Sequence, residues 1–278
     1  MYTRRSSRGG RGCNMSMGRI LIGLVIAAFS LISYFGSSSE NEVTGETQHV
    51  AITPDQEIAM GLQAAPEVAQ QFGGLDPDPQ AQQIVDEIGQ HLVQNSAASR
   101  TPYEYEFHLL ADPETVNAFA LPGGQIFITR ALFDRLSQEG ELAGVLGHEI
   151  AHVVARHSAE QIAKARLTEG LTGAAVIAAY DPQNPTTAGA AQMAMLVGQL
   201  VNLKYGREDE LESDYLGVCF MQDGGYDPEQ LKTVMQILAE ASGGRGGQPE
   251  FLSTHPDPGN RIERIEQAIQ NSDQCPRR

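Results

Sequence analysis

Gly140 to Lys164 carries the pentapeptide His148-Glu149-Ile150-Ala151-His152 at its centre. The stretch contains no proline, and Leu142, Val145, Leu146, Ile150 and Val153 recur at intervals of three and four, which predicts one amphipathic helix along its whole length. Residues four apart share a helix face, so His148 and His152 stand side by side on one turn. Two imidazoles so placed can hold a divalent ion such as Zn²⁺. Glu149, next in sequence, can reach a water on that ion as a general base. This is the spacing of a zinc hydrolase.

The rest of the ligand set has to come from elsewhere. A third ligand ten residues after His148 needs glycine at the seventh position, so that the chain can leave the helix. Position 155 is Ala and position 158 is Ser, which excludes that class. His157 lies nine residues past His148, about half a turn round the helix at ~100° per residue, and is predicted to face away as a polar or structural histidine. The strongest source is Arg207 to Asp214, where Glu210 and Asp214 are four apart and share a helical face. Glu210 can act as the third ligand, leaving the fourth position of the ion open for water. Asp214 can accept the proton of a ligating histidine and fix its tautomer. Glu208, Asp209 and Glu212 read as a solvated, dipole-favoured helix start.

Taken together, His148 to His152, Arg207-x-x-Glu210-x-x-x-Asp214 and the upstream run Asn117 to Phe127 resemble the M48 family of zinc metallopeptidases, most of all its short periplasmic bacterial members. The likeness spans about residues 55 to 270. Gly206 and Ser213 replace the Ser and Ala that usually precede the family's Arg and Asp. The resemblance implies an α+β, mostly helical, zincin-like metallopeptidase domain with a small β-sheet beside the helix of the two histidines. It implies one Zn²⁺ per chain held by His148, His152 and Glu210, with Glu149 as catalytic base and Asp214 and Arg207 behind the ligands. Asn117, Ala118, Phe119, Gly123 and Gly124 would border a substrate cleft, with a peptide pairing along the free edge of strand Gln125 to Thr129. His255, in Thr254-His255-Pro256, would lie at the active site, either stabilising the oxyanion or occupying the open metal position in a resting form.

The remaining chain supplies context. Residues 1–19 hold five arginines and no acid among Gly and Ser, a basic disordered tail expected in the cytoplasm. Ile20 to Phe35 is a run of uncharged, mostly apolar residues, which makes 20–36 an expected inner-membrane anchor, single-pass, or alternatively a cleaved signal that leaves a soluble periplasmic protein. Setting the five arginines aside leaves 14 basic against 35 acidic side chains, a net charge of −21 that repels phosphate backbones and excludes nucleic acid as a partner. Residues 37–53 read as a polar linker, 54–272 as the peptidase domain and 273–278 as a tail. Helices are predicted from Pro54 to Gln71, Gln80 to Gln94, Arg207 to Met221, Tyr226 to Ala241 and Arg261 to Gln270, with strands at Tyr103 to Leu110 and Gln125 to Thr129. Leu171 to Tyr180 and Ala188 to Leu203 are predicted as Ala-rich lid helices. Cys219 and Cys275 can pair as a disulfide, or Cys219 can serve as a small buried hydrophobe. A tetratricopeptide-like repeat after the last helix is not expected.

The expected function is therefore hydrolysis of peptide bonds in misfolded or unassembled envelope proteins. The expectation from another class is a zinc-containing chaperone or assembly factor that grips such proteins and cuts little.

Overall fold

The computed structural model describes residues 17–179, 205–242, 249–256 and 259–276. The second expected lid helix lies outside them. The elements are α1 Met17–Gly36, β1 Ser38–Glu40, β2 Thr47–His49, α2 Pro54–Gln71, α3 Pro79–Asn95, β3 Glu106–Leu110, β4 Ala118–Ala120 and β5 Gln125–Thr129. They continue with α4 Arg130–Phe133, α5 Glu139–Val154, α6 His157–Ala179, α7 Arg207–Asp223, α8 Glu229–Ser242, α9 Glu250–Thr254 and α10 Arg261–Gln270.

The three-stranded sheet has the order β3-β5-β4, with β3 parallel and β4 antiparallel to β5. Alternation along the strands builds two cores. Ile126, Ile128, Ala118 and Ala120 join Phe107 and Leu109 against α3 and α5, whereas Phe127, Phe119 and Leu110 join Ala64 and Val68 of α2. With both faces covered, every residue of β5 is buried. The β4–β5 hairpin turns through Gly123 (φ 82°) and Gly124 (φ 105°), a left-handed pair that side chains rarely adopt. Because β5 is the central strand, its edges are both taken. The edge position expected of β5 belongs instead to β4, whose residues are themselves buried.

The helix predicted over Gly140 to Lys164 is two helices. It breaks at Arg156, whose φ of 57° reverses the chain between α5 and α6. The guanidinium of Arg156 is what holds that turn: Nε donates to Glu57 Oε1 (2.8 Å) and Nη2 to Ile52 O (2.8 Å), and Tyr103 donates to the other Glu57 oxygen. Nor is α5 amphipathic. Every residue from Glu141 to Val154 is buried, because α5 is wrapped by the sheet, α3, α7 and α8.

Two expectations at the amino-terminal end are corrected. Among the described residues no helix is long and apolar enough to cross a membrane, against the single-pass anchor expected over 20–36. The 16 residues Ile20 to Phe35 rise only about 24 Å as a helix, short of a hydrocarbon core of about 30 Å, and α1 packs along α6. The stretch read as a polar linker is an antiparallel hairpin, β1 paired with β2. It caps α5: Asn41 Nδ2 donates to Val154 O (2.9 Å) and Gln48 Nε2 to Ala155 O, satisfying carbonyls that the helix end leaves unpaired.

Cys219 and Cys275 form a disulfide with Cα atoms 5.5 Å apart, and Cys219 is fully buried. The bond ties the segment after α10 to α7, closing a loop with a sequence separation of 56. In the chain-entropy account a loop of this length stabilises by up to about 4 kcal/mol. Cys275→Ser is therefore expected to lower unfolding stability by a large part of that in urea titrations, and an unchanged midpoint would contradict this.

Candidate metal centre

The site arises where α5 crosses α7. Gly147 and Gly217 face each other there; a Cβ on Gly217 would stand 3.3 Å from His148 N, and one on Gly147 3.4 Å from Gly217 O. With no side chains between them the two backbones approach closely, which brings Glu210 and Asp214 of α7 onto the histidine face of α5. The short helix α9 then delivers His255 from the other side, held by its backbone bond to Phe251 O and by the ring of Phe251 stacked at 4.4 Å.

Four side chains converge, with ligand atoms all within 4.8 Å of one another. His148 Nε2 lies 3.1 Å from His152 Nε2, 3.5 Å from Glu210 Oε2 and 3.3 Å from His255 Nδ1. His152 Nε2 is 3.6 Å from Glu210 Oε1, which is 3.0 Å from His255 Nδ1. A tetrahedral ion with bonds of about 2.0–2.1 Å separates its ligand atoms by about 3.4 Å, so the cluster has the edge lengths of such a site. The donor set of imidazoles and a carboxylate, all buried, fits zinc. Glu149 is also fully buried, and neither of its carboxylate oxygens has a hydrogen-bond partner among the described residues; Oε1 lies 3.6 Å from His255 Nε2.

The electrostatics follow from burial and pairing. Burial works against a charged His148, but its bonds to Asp214 and Glu210 outweigh it and push the ring up to about 9. Burial, then the charge of His148, holds His152 well below the ordinary imidazole value. Burial would raise Glu210, yet His255 and His148 hold it well below the carboxylate range. For Glu149 burial prevails and its carboxyl is raised.

Behind the cluster, His148 Nδ1 meets Asp214 Oδ1 at 3.0 Å. Asp214 is gripped by Arg261, with Nε to Oδ2 at 2.7 Å and Nη2 to Oδ1 at 2.6 Å, and Arg261 Nη1 lies 3.1 Å from Glu210 Oε2. Arg207, expected behind the ligands, is exposed on the first turn of α7. In the sequence Arg261 marks only the start of the last helix. Nothing local in the sequence separates a buried arginine there from a solvated one. Tyr205, stacked on His152 at 3.9 Å with its hydroxyl 3.1 Å from Ser158 Oγ, was missed for the same reason.

The residues expected along the cleft are dispersed. Ala118 lies on the outer strand β4, facing the α5 side. Asn117 is buried with Oδ1 lacking a partner among the described residues. Phe119 points to the opposite core, stacked on Phe127 at 5.1 Å, while Gly123 and Gly124 form the hairpin turn, Gly123 against α2.

A model of Peptidase family M48 matches residues 79–269, well over half of the chain. The chain belongs to peptidase family M48. Its M48 relatives include the beta-barrel assembly-enhancing protease of Yersinia pestis, 34% identical over 228 residues, which are 78% of this chain and 45% of that protein. The protein of the same name from Escherichia coli K12 is 32% identical over 218 residues, covering 74% of this chain and 43% of the relative. The mitochondrial metalloendopeptidase OMA1 of Schizosaccharomyces pombe is 37% identical over 164 residues, 59% and 46% of the two chains. The chain thus spans less than half the length of these curated relatives. M48 membership accords with the mostly helical fold and with the zinc-like arrangement of His148, His152 and Glu210.

Arg261 and Asp214 are both almost wholly buried. Removing one partner of such a pair costs about 3–5 kcal/mol. Arg261→Met is expected to destabilise the zinc-free chain by that order in urea unfolding, and a loss below about 1 kcal/mol, the scale of an exposed pair, would show that the pair is solvated.

Proposed function

We propose that this chain is a zinc-dependent metalloendopeptidase acting on misfolded or unassembled envelope proteins. The observation that carries the reading is the buried cluster of His148, His152 and Glu210 with Glu149 beside it, whose carboxylate has no hydrogen-bond partner among the described residues. The names of the M48 relatives, proteases of β-barrel assembly and a mitochondrial metalloendopeptidase, support both the reaction and the substrate class.

In this reading His148, His152 and Glu210 hold the zinc. The ion, when bound, supplies an acidified water and polarises the scissile carbonyl. Glu149 takes the proton of the attacking water and returns it to the leaving amine, a task suited to a carboxyl raised by burial. Asp214, fixed by Arg261, holds the hydrogen of His148 on Nδ1 and keeps Nε2 free for ligation.

A substrate strand is accommodated by β4. Phe119 pairs with Phe127 toward β5, so the backbone groups of Ala118 and Ala120 point away from the sheet, on an outer edge that is itself buried and that an extended peptide reaches once it is uncovered. The next outward carbonyl, Val116 O, is taken by Phe251 N of α9 (3.2 Å). Such pairing selects exposed backbone rather than side chains, as suits unfolded proteins.

His255 Nδ1 stands where a fourth ligand would, 3.0 Å from Glu210 and 3.3 Å from His148. Four protein ligands make a closed site, so His255 acts as a resting ligand that must withdraw before water can enter.

Three outcomes test this. Glu149→Gln is expected to bind zinc like the parent by metal analysis yet lose casein cleavage by at least about a hundredfold; cleavage at the parental rate would refute the assignment, and a variant that still performs the cellular task would favour the chaperone reading. His255→Ala is expected to raise basal casein cleavage, whereas a fall would make His255 part of the reaction. Zinc affinity, measured by chelator competition, should rise about tenfold per pH unit from pH 7 toward 9, because binding must displace the proton of His148. A flat profile would show that His148 is already neutral.

A further inference from the structure

One buried chain of side chains serves none of the roles above. His152 Nδ1, the nitrogen turned away from the ligand cluster, lies 2.9 Å from His157 Nδ1, and His157 Nε2 lies 3.0 Å from Glu212 Oε2. His157 is 1% exposed, while the side chain of Glu212 is 25% exposed at the outer end. On a continuous helix His157 would point away from His152. The reversal at Arg156 folds the start of α6 back and returns His157 to the outer side of the very histidine it follows by five residues.

The direction of hydrogen bonding along this chain is set from its outer end. An ionised carboxylate only accepts, so Glu212 requires the hydrogen of His157 on Nε2. A neutral His157 then carries its lone pair on Nδ1, where it accepts the hydrogen of His152 Nδ1. Ser213 Oγ, 3.3 Å from the same nitrogen, can donate to that lone pair as well. With its hydrogen on Nδ1, His152 presents a lone pair at Nε2, the atom 3.1 Å from His148 Nε2 and 3.6 Å from Glu210 Oε1. The reverse order would aim a hydrogen of His152 into the ligand cluster and set two acceptors against each other at Glu212.

We infer that His157, oriented by Glu212, is a positioning residue that fixes the tautomer of His152 for metal ligation. The inference rests on the zinc reading above. It gives the site two supporting arms of different build: Asp214 bonds His148 directly, whereas Glu212 reaches His152 through a second imidazole. Sequence pattern hides this arm, since Glu212 reads as one more acid of a solvated helix start.

The test uses the full chain with zinc as the probe. Affinity is measured by competition with a chromophoric chelator, and ring protonation in the zinc-free protein by ¹H–¹⁵N correlation of the histidine side chains. His157→Leu is expected to weaken zinc about 10–100-fold, the usual effect of losing such a partner. His157→Asn, whose Oδ1 can accept from His152 Nδ1, should recover most of that loss, a rescue that a purely packing role would not give. Glu212→Leu, at the partly exposed end where folding is least at risk, should weaken zinc in the same direction with the thermal midpoint of the zinc-free chain unchanged. In the wild type the His152 ring should carry its hydrogen on Nδ1. A hydrogen on Nε2, or parental zinc affinity in His157→Leu and Glu212→Leu, would overturn the inference alone. A wild-type chain that binds no zinc would overturn the zinc reading itself.

Discussion

The close crossing of α5 and α7 at Gly147 and Gly217 is the constraint from which the rest of the molecule follows. Two helices that touch backbone to backbone can place an imidazole of one against carboxylates of the other in the core. That placement buries His148, His152, Glu149, Glu210 and Asp214 together. Isolated charges would be costly there. The charges of Asp214 and Glu210 are tolerated because the two share Arg261 and His148 bridges both, whereas burial raises the carboxyl of Glu149. The helix that supplies Arg261 is in turn fastened to α7 by the apolar contacts of Ile265 and Ala268 and, just beyond it, by the disulfide to Cys219.

The outer layers give that crossing its rigidity. The sheet covers one side of α5 through Ile126, Ile128 and the two alanines of β4, and the amino-terminal hairpin caps its carboxyl end through Asn41 and Gln48. His148 and His152 therefore sit on an element that is held along its whole length, while His255 hangs from the five-residue helix α9. The same piece occupies Val116 O at the outer side of β4, so the placement of His255 and the coverage of that strand are linked through α9.

Much of this was legible from residue order. Periodicity and capping signals placed α3 and α7 to within about two residues, and α2, β5 and α10 on their observed bounds. The spacings His148-x-x-x-His152 and Glu210-x-x-x-Asp214 put each pair on one helical face, and α-helix geometry leaves no other arrangement for residues four apart. The uncharged run at 20–36 was over-read: its composition suits a membrane, but its length does not.

What the order of residues determined by itself was local: which stretches are helical, which faces carry imidazole and carboxylate, and hence the chemistry that α5 and α7 can support. What only the tertiary structure decided was which distant groups stand behind those faces. Arg261 rather than Arg207 reaches Asp214, β4 rather than β5 is the outer strand, and a left-handed turn at Arg156 sends His157 back to His152. The reason is physical. A helix or strand pattern is fixed by neighbours a few positions away, whereas the partner of a buried charge is fixed by how whole elements cross, and that depends on every surface they bury at once.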